Sequence, residues 1–263
     1  MAREDRAKEK RQLLISVLLA LAALVSITAA TVAWFTIADF TKVHSMSMEI
    51  TSGTNLRFDL DAHEQFEEYC KVLSFSQIAD RIQRDLEYDM RKVPLEPVTT
   101  RDFQIFTFED GTVAEPSDGA YLEFTLHFMA AEDMLIHLTS QDSGNGRDGT
   151  VVQSTNAGLP KAMRISFSVD GQELVYHPGM GDTNTTEGNV KYFGLPDGER
   201  MQPNENNQMF WVKKNVDCPV VVHVWLEGTD PVCTDELRNA DYRIRLRFVG
   251  TDKEHHILTG DGR

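Results

Sequence analysis

Three features of the sequence predict an all-β fold, an antiparallel sandwich of jelly-roll type with a helical insertion, entered through an N-terminal hydrophobic helix. First, apolar side chains alternate at period two in many short segments, the signature of half-buried strands. Second, Gly- and Asp-rich punctuation separates them, as in Ser52-Gly53, Asp110-Gly111, Asp118-Gly119, Asp170-Gly171 and Pro196-Asp197-Gly198, where tight turns belong. Third, one long uncharged segment stands at the start, behind a short basic flank.

That first segment fixes the domain plan. Residues 1–11 carry five basic side chains (Arg3, Arg6, Lys8, Lys10, Arg11), and Gln12 to Ala38 carry no charge. An apolar helix of this length spans a bilayer, and the basic flank stays on the cytoplasmic side. Residues 1–38 are therefore read as a signal peptide or signal anchor, with the membrane met through residues 13–38 before processing. Residues 39–263 are read as an extracellular or cell-surface sandwich domain. Small residues at Thr28-Ala29-Ala30 and Thr31-Val32-Ala33 suit a signal peptidase and favour cleavage, whereas the length of the apolar stretch favours an anchor.

The strands follow in order. Met46, Met48 and Ile50 alternate, then Leu56, Phe58 and Leu60. The rhythm returns in Leu122–Phe128, Met134–Leu138, Met163–Val169 and Tyr242–Phe248. Phe103–Phe108 and Val220–Leu226 alternate little and suit central strands. Residues 62–93 break the pattern: Phe66, Tyr69, Cys70 and Leu73, then Ile78, Ile82, Leu86 and Met90, follow helical spacing. They predict a helical insertion, with Ser74 or Ser76 capping its second helix and Pro94 and Pro97 ending it. Residues 178–209, rich in Gly, Asn, Thr and Pro, predict a long loop region with at most one strand, Val190–Phe193.

Charge and motifs exclude several functions. The net charge is −15, and residues 39–263 alone carry −17; nucleic acid is no partner for such a surface. Three cysteines without a C-x-x-C pair give neither a disulfide framework nor a zinc knuckle. If Pro219–Glu227 is one strand, Cys218 and Cys233 stand too far apart to bond. Gly144–Gly149 matches G-x-G-x-x-G, but Thr150-Val151-Val152 opens no helix to hold a pyrophosphate. The same loop, with Asp142 and Asp148, lacks the alternating oxygens and closing Glu of a calcium loop. His63-Glu64-Gln65-Phe66-Glu67 has Glu67 where a zinc helix needs its second histidine. His255-His256 reads as a solvated tail, and no G-x-S-x-G elbow is present. Neither cofactor nor metal is called for, and the expectation is a non-enzymatic protein. Arg243, Arg245 and Arg247 form a basic stripe, read as pairing with carboxylates of a neighbouring strand or, alternatively, as meeting an acidic partner.

Several runs carry a resemblance. Thr31-Val32-Ala33-Trp34-Phe35-Thr36 with Ser52-Gly53-Thr54-Asn55-Leu56 resembles the N-terminal region of TasA/camelysin secreted matrix proteins of Gram-positive bacteria. Pro97-Val98-Thr99-Thr100, Tyr121–Phe124, Arg164–Phe167 and Val224–Pro231 are similar to a clostridial branch that includes BsaA-like pilins. Residues 62–93 and 178–209 have no counterpart there. The resemblance implies a jelly-roll domain, export through a signal peptidase of the SipW type, and self-assembly into extracellular fibres. It places processing around Thr31, Ala33, Trp34 and Phe35.

The functional expectation is a surface or biofilm-matrix fibre subunit whose partners are copies of itself or other matrix subunits. Asp39–Ile50, with Phe40, Met46, Met48 and Ile50 as apolar anchors, is read as an assembly arm that adds a strand to a neighbouring subunit; the alternative is that it pairs within its own sandwich. Two other functions stay open: a membrane-anchored module binding a ligand or glycan, and an extracellular hydrolase using paired carboxylates.

Overall fold

Strand β16 (Tyr242–Thr251) organises one of two sheets in the computed structural model, which describes residues 46–52, 55–91, 95–139, 149–195, 203–237 and 240–258. Its order is β14 (Gln208–Val212), β8 (Met134–Leu138), β16, β1 (Met46–Ser52) and β3 (Val72–Leu73), with β9 (Val151–Gln153) also on β16. The second sheet runs β12 (Asn184–Glu187), β13 (Val190–Phe193), β11 (Gln172–Tyr176), β10 (Met163–Val169), β15 (Cys218–Glu227), β4 (Pro97–Thr100), β5 (Phe106–Thr107), β6 (Val113–Ala114). Strand β7 (Leu122–Ala130) also pairs with β15 and carries β2 (Leu56–Asp59) on its far side.

The alternating segments form the interior. Phe248 of β16 lies 5.2 Å from the ring of Phe128 on β7 and 5.7 Å from Phe167 on β10, both edge-on. One apolar layer thus joins the two sheets, as in a sandwich. A smaller apolar cluster covers the opposite face of the ten-stranded sheet, where Phe106 stacks on Tyr121 at 4.1 Å and meets Trp225 edge-on. Strand β15 is covered on both faces and hydrogen-bonded on both edges, by β10 on one side and β7 followed by β4 on the other. That explains its weak alternation.

The sheets are mixed rather than purely antiparallel. Strand β1 pairs parallel with β16, β13 with β11, and β4 with β15. The helical insertion is half right. Helix α1 (Phe75–Leu86) starts at Ser74, whose N–H donates to Gln77 Oε1 at 3.0 Å, and it buries Ile78 and Ile82. It stops at Glu87, which takes left-handed backbone (φ 56), well before the prolines. The first predicted helix is absent. Phe66–Glu68 forms a single 3-10 turn, and Cys70 then pairs with Phe58 in a β-bridge. Strand β3 follows at Val72–Leu73. The backbone of β2 supplies partners that a four-residue helical spacing does not reveal.

Two further expectations change. Phe103–Phe108 is strand only at Phe106–Thr107, because Phe103 turns left-handed (φ 59). Thr100 Oγ1 and Asp102 Oδ1 satisfy the N–H groups of residues 103–105 across that turn. The 178–209 region holds not one strand but the β12–β13 hairpin and the start of β14. Strand β12 is exposed at every position, so it shows no alternation to read. A short helix, α2 (Leu159–Ala162), precedes β10. By contacts the chain divides at residues 43/44, a few residues beyond the predicted boundary.

Candidate functional site

Three places bring chemistry-bearing residues together. The first is the slot that holds β1. Met46 through Ser52 run in register with Tyr242 through Phe248, while Thr51 and Ile50 pair antiparallel with Val72 and Leu73. Both edges of this strand are thus used within its own chain. Met46, Met48 and Ile50 of the predicted arm lie in β1; Phe40 and the processing residues Thr31, Ala33, Trp34 and Phe35 lie outside the described residues. So does the apolar N-terminal segment: among the described residues no helix is long and apolar enough to cross a membrane.

The second is a cross-strand row on β10, β15 and β7. Ser166 stands opposite His223, and His223 opposite Glu123. His223 Nε2 lies 3.1 Å from Glu123 Oε2, and its Nδ1 lies 3.3 Å from Ser166 Oγ. The hydrogen bond from His223 holds the Glu123 carboxyl below its ordinary range against the opposing effect of burial. The Glu123 carboxylate accepts from Nε2–H, and the Ser166 hydroxyl faces Nδ1 on the other side of the ring. The order serine–histidine–carboxylate is that of a hydrolase triad. Accessibility decides against that chemistry here: Ser166 has no solvent exposure, and the Phe106 ring lies 5.3 Å from His223. Beside the row, burial pushes the Glu173 carboxyl up while Ser168 bonds to it. Sequence spacing could not show the row, because its members are adjacent only through sheet register.

The third is a cleft of about 960 Å³ where β4 leaves β15. The β5–β6 hairpin forms one wall, and Gly228–Thr229 with Cys233–Asp235 the other. Glu96, Glu109, Asp110 and Asp235 line it, and among the described residues no Lys, Arg or His does. Asp110 is held below the usual carboxylate range by the hydroxyl and N–H of Thr112. The far wall is pinned from below: Arg164 Nη2 donates to Asp230 Oδ2, and Val232 N–H donates to Asp230 Oδ1.

The remaining sequence motifs are placed as follows. His63 sits 3.7 Å from Asp59 and edge-on to Tyr69. His256 pairs with Asp252 on the surface. Of Gly144–Gly149 only Gly149 is described; its carbonyl accepts from Arg245 Nε, and β9 follows instead of a helix. Arg245 therefore spends that donor on backbone, with Glu49 and Val151 as its register partners on either side. Among the described residues no three His, Cys, Asp or Glu side chains are grouped to hold a metal ion. No family model, no curated protein and no solved structure matches the chain.

Proposed function

We propose that the protein is a non-enzymatic, exported subunit of a surface fibre or biofilm matrix, its sandwich being of jelly-roll type. The observation that carries this reading is the position of β1. It is the first described strand, it follows the apolar segment in sequence, and it fills a slot whose two walls, β16 and β3, belong to the rest of the domain. The arm of a neighbouring copy can offer the same main-chain hydrogen bonds to that slot. Cleavage near Ala33 then frees the arm outside the cell, so that precursors do not polymerise inside it. The chain starting at Phe35 and a shortened chain starting at Thr51 separate the possibilities. Light scattering and electron microscopy should show fibres for the first and particles of uniform size for the second. Equal behaviour of the two removes the arm from assembly.

The cleft favours a second reading, a membrane-anchored module that binds a ligand or glycan. Its volume lies within the range of small-molecule sites, and its lining combines carboxylates, threonine hydroxyls and Phe108. Monomeric protein that retains a saturable glycan or cation affinity would favour this reading over the first.

A further inference from the structure

Strand β15 separates two surfaces of opposite charge. Just before it stands a turn at residues 213–216, closed by the Val216 N–H donating to the Lys213 carbonyl at 3.2 Å. The Lys214 N–H donates to Asp133 Oδ1 at 2.8 Å, and the Asn215 N–H to the Ala130 carbonyl at 2.9 Å. Asn215 takes the left-handed backbone (φ 53) that asparagine tolerates. The turn is thus fixed to the end of β7. It presents Lys213 and Lys214 to solvent between two exposed apolar side chains, Trp211 and Val216. Among the described residues neither ammonium group makes an ion pair. Residues 39–263 hold one other pair of adjacent basic residues, Arg91-Lys92, and its Arg91 is bonded to Asp80 and Asp89.

Beyond the other end of β15 lies the acidic cleft, with Glu96, Glu109, Asp110 and Asp235 in its lining and Phe108 as apolar surface. Val113 and Val232, next in sequence to the lining residues Thr112 and Cys233, are exposed. Glu96 and Glu109 make no ion pair among the described residues. The ten residues of β15, at about 3.3 Å each, put roughly 30 Å between turn and cleft. The lysines of the turn therefore cannot reach the cleft of their own chain.

We infer that the 213–216 turn of one copy docks in the acidic cleft of the next, so that subunits add head to tail along β15. Lys213 and Lys214 meet the carboxylates, and Trp211 and Val216 face the apolar surface of Phe108, Val113 and Val232. The occupant is a second copy because this chain carries both halves of the contact, matched in charge and each flanked by exposed apolar side chains. A contact between two different surfaces leaves one of each unused at the ends, so it propagates. Copies at −17 repel one another in most orientations. This approach alone brings the paired lysines onto the carboxylates, which selects the register and makes association sensitive to salt. The inference rests on the fibre reading and adds to it a contact separate from the β1 arm.

A carbodiimide, which joins an amine to a carboxylate that it touches, tests the contact on the purified full chain in detergent. The expected result is a ladder of multimers on a denaturing gel. Peptides holding Lys213 or Lys214 should be linked to peptides holding Glu96, Glu109, Asp110 or Asp235, and the separation within one chain makes such links intermolecular. Lys213→Glu with Lys214→Glu removes the basic half, and Glu96→Lys with Glu109→Lys weakens the acidic half. Each variant alone should need about a hundredfold higher concentration to give the ladder, because like charges then face each other. Their mixture retains one native turn and one native cleft, so it should recover linked dimers. Multimers linked elsewhere, or undiminished in both variants, overturn this contact and leave the fibre reading standing. A full chain that gives no multimers overturns both.

Discussion

Arg164 and Asp230 form a mostly buried ion pair, Nη2 to Oδ2 at 2.6 Å, that ties the end of β10 to the loop after β15. Arg164 Nη1 also donates to the carbonyls of Lys161 and Met163, so α2 and its own strand hold the guanidinium in place. Burial disfavours the Asp230 carboxylate, but the N–H of Val232 and the Arg164 guanidinium outweigh it and hold its pKa low. Arg164→Ala leaves the carboxylate without its counter-charge and should cost about 3 kcal/mol in urea unfolding. An unchanged midpoint would show that solvent already screens the pair.

Acid should destabilise the domain through His137. Burial is the largest effect on this imidazole and lowers its pKa to about 4, the Asn207 bond opposing it. The unfolded chain, with an ordinary value near 6.5, then binds the proton more readily than the native state. The stability contribution is complete above about pH 6.5 and is lost as pH falls toward 4, amounting to roughly 3 kcal/mol. Urea midpoints measured from pH 7.5 to 4 should fall through this window, and less so in His137→Gln.

Truncating the aromatic hub should open a cavity. Phe248 touches the rings of Phe58, Phe128 and Phe167 and has no solvent exposure. Phe248→Ala should cost about 3–5 kcal/mol by the same unfolding measurement. A loss below 1 kcal/mol would mean that the rings close over the gap.

The cysteines should behave as three separate thiols. None of the three is in a disulfide, and β15 carries Cys218 away from Cys233 along its full length. Burial raises Cys218 to about 11, leaving about one thiolate in a thousand at pH 8. Native protein should alkylate slowly at Cys218, and unfolded protein should take up three labels. A Cys218–Cys233 peptide in a non-reducing digest would contradict the strand geometry.

The sequence was most readable where one face of a strand meets the core. Leu122–Phe128, Met134–Leu138, Met163–Val169 and Tyr242–Phe248 all fall in β7, β8, β10 and β16. It was least readable where pairing partners, not side-chain pattern, make the structure. Cys70 is drawn into a bridge by Phe58, and Asn184–Glu187 is strand with no buried face. Parallel pairings were invisible for the same reason, because period two does not encode direction. The Ser166–His223–Glu123 row and the His137–Asn207 pair are built from contacts 57 to 100 positions apart. No local spacing announces such groups; they are products of register.

The parallel match of β1 to β16 sets the order in which this domain can be completed. Met46 waits for Tyr242, and Ser52 for Phe248, so the earliest of the described strands closes its sheet only with the last of them. Contacts of such long range are slow to form, because loop closure precedes any gain from pairing. A chain still emerging from a ribosome therefore keeps one edge of β1 open until its C-terminal end arrives. Throughout that interval the domain is incomplete, and its open β1 edge stays available to any other extended chain.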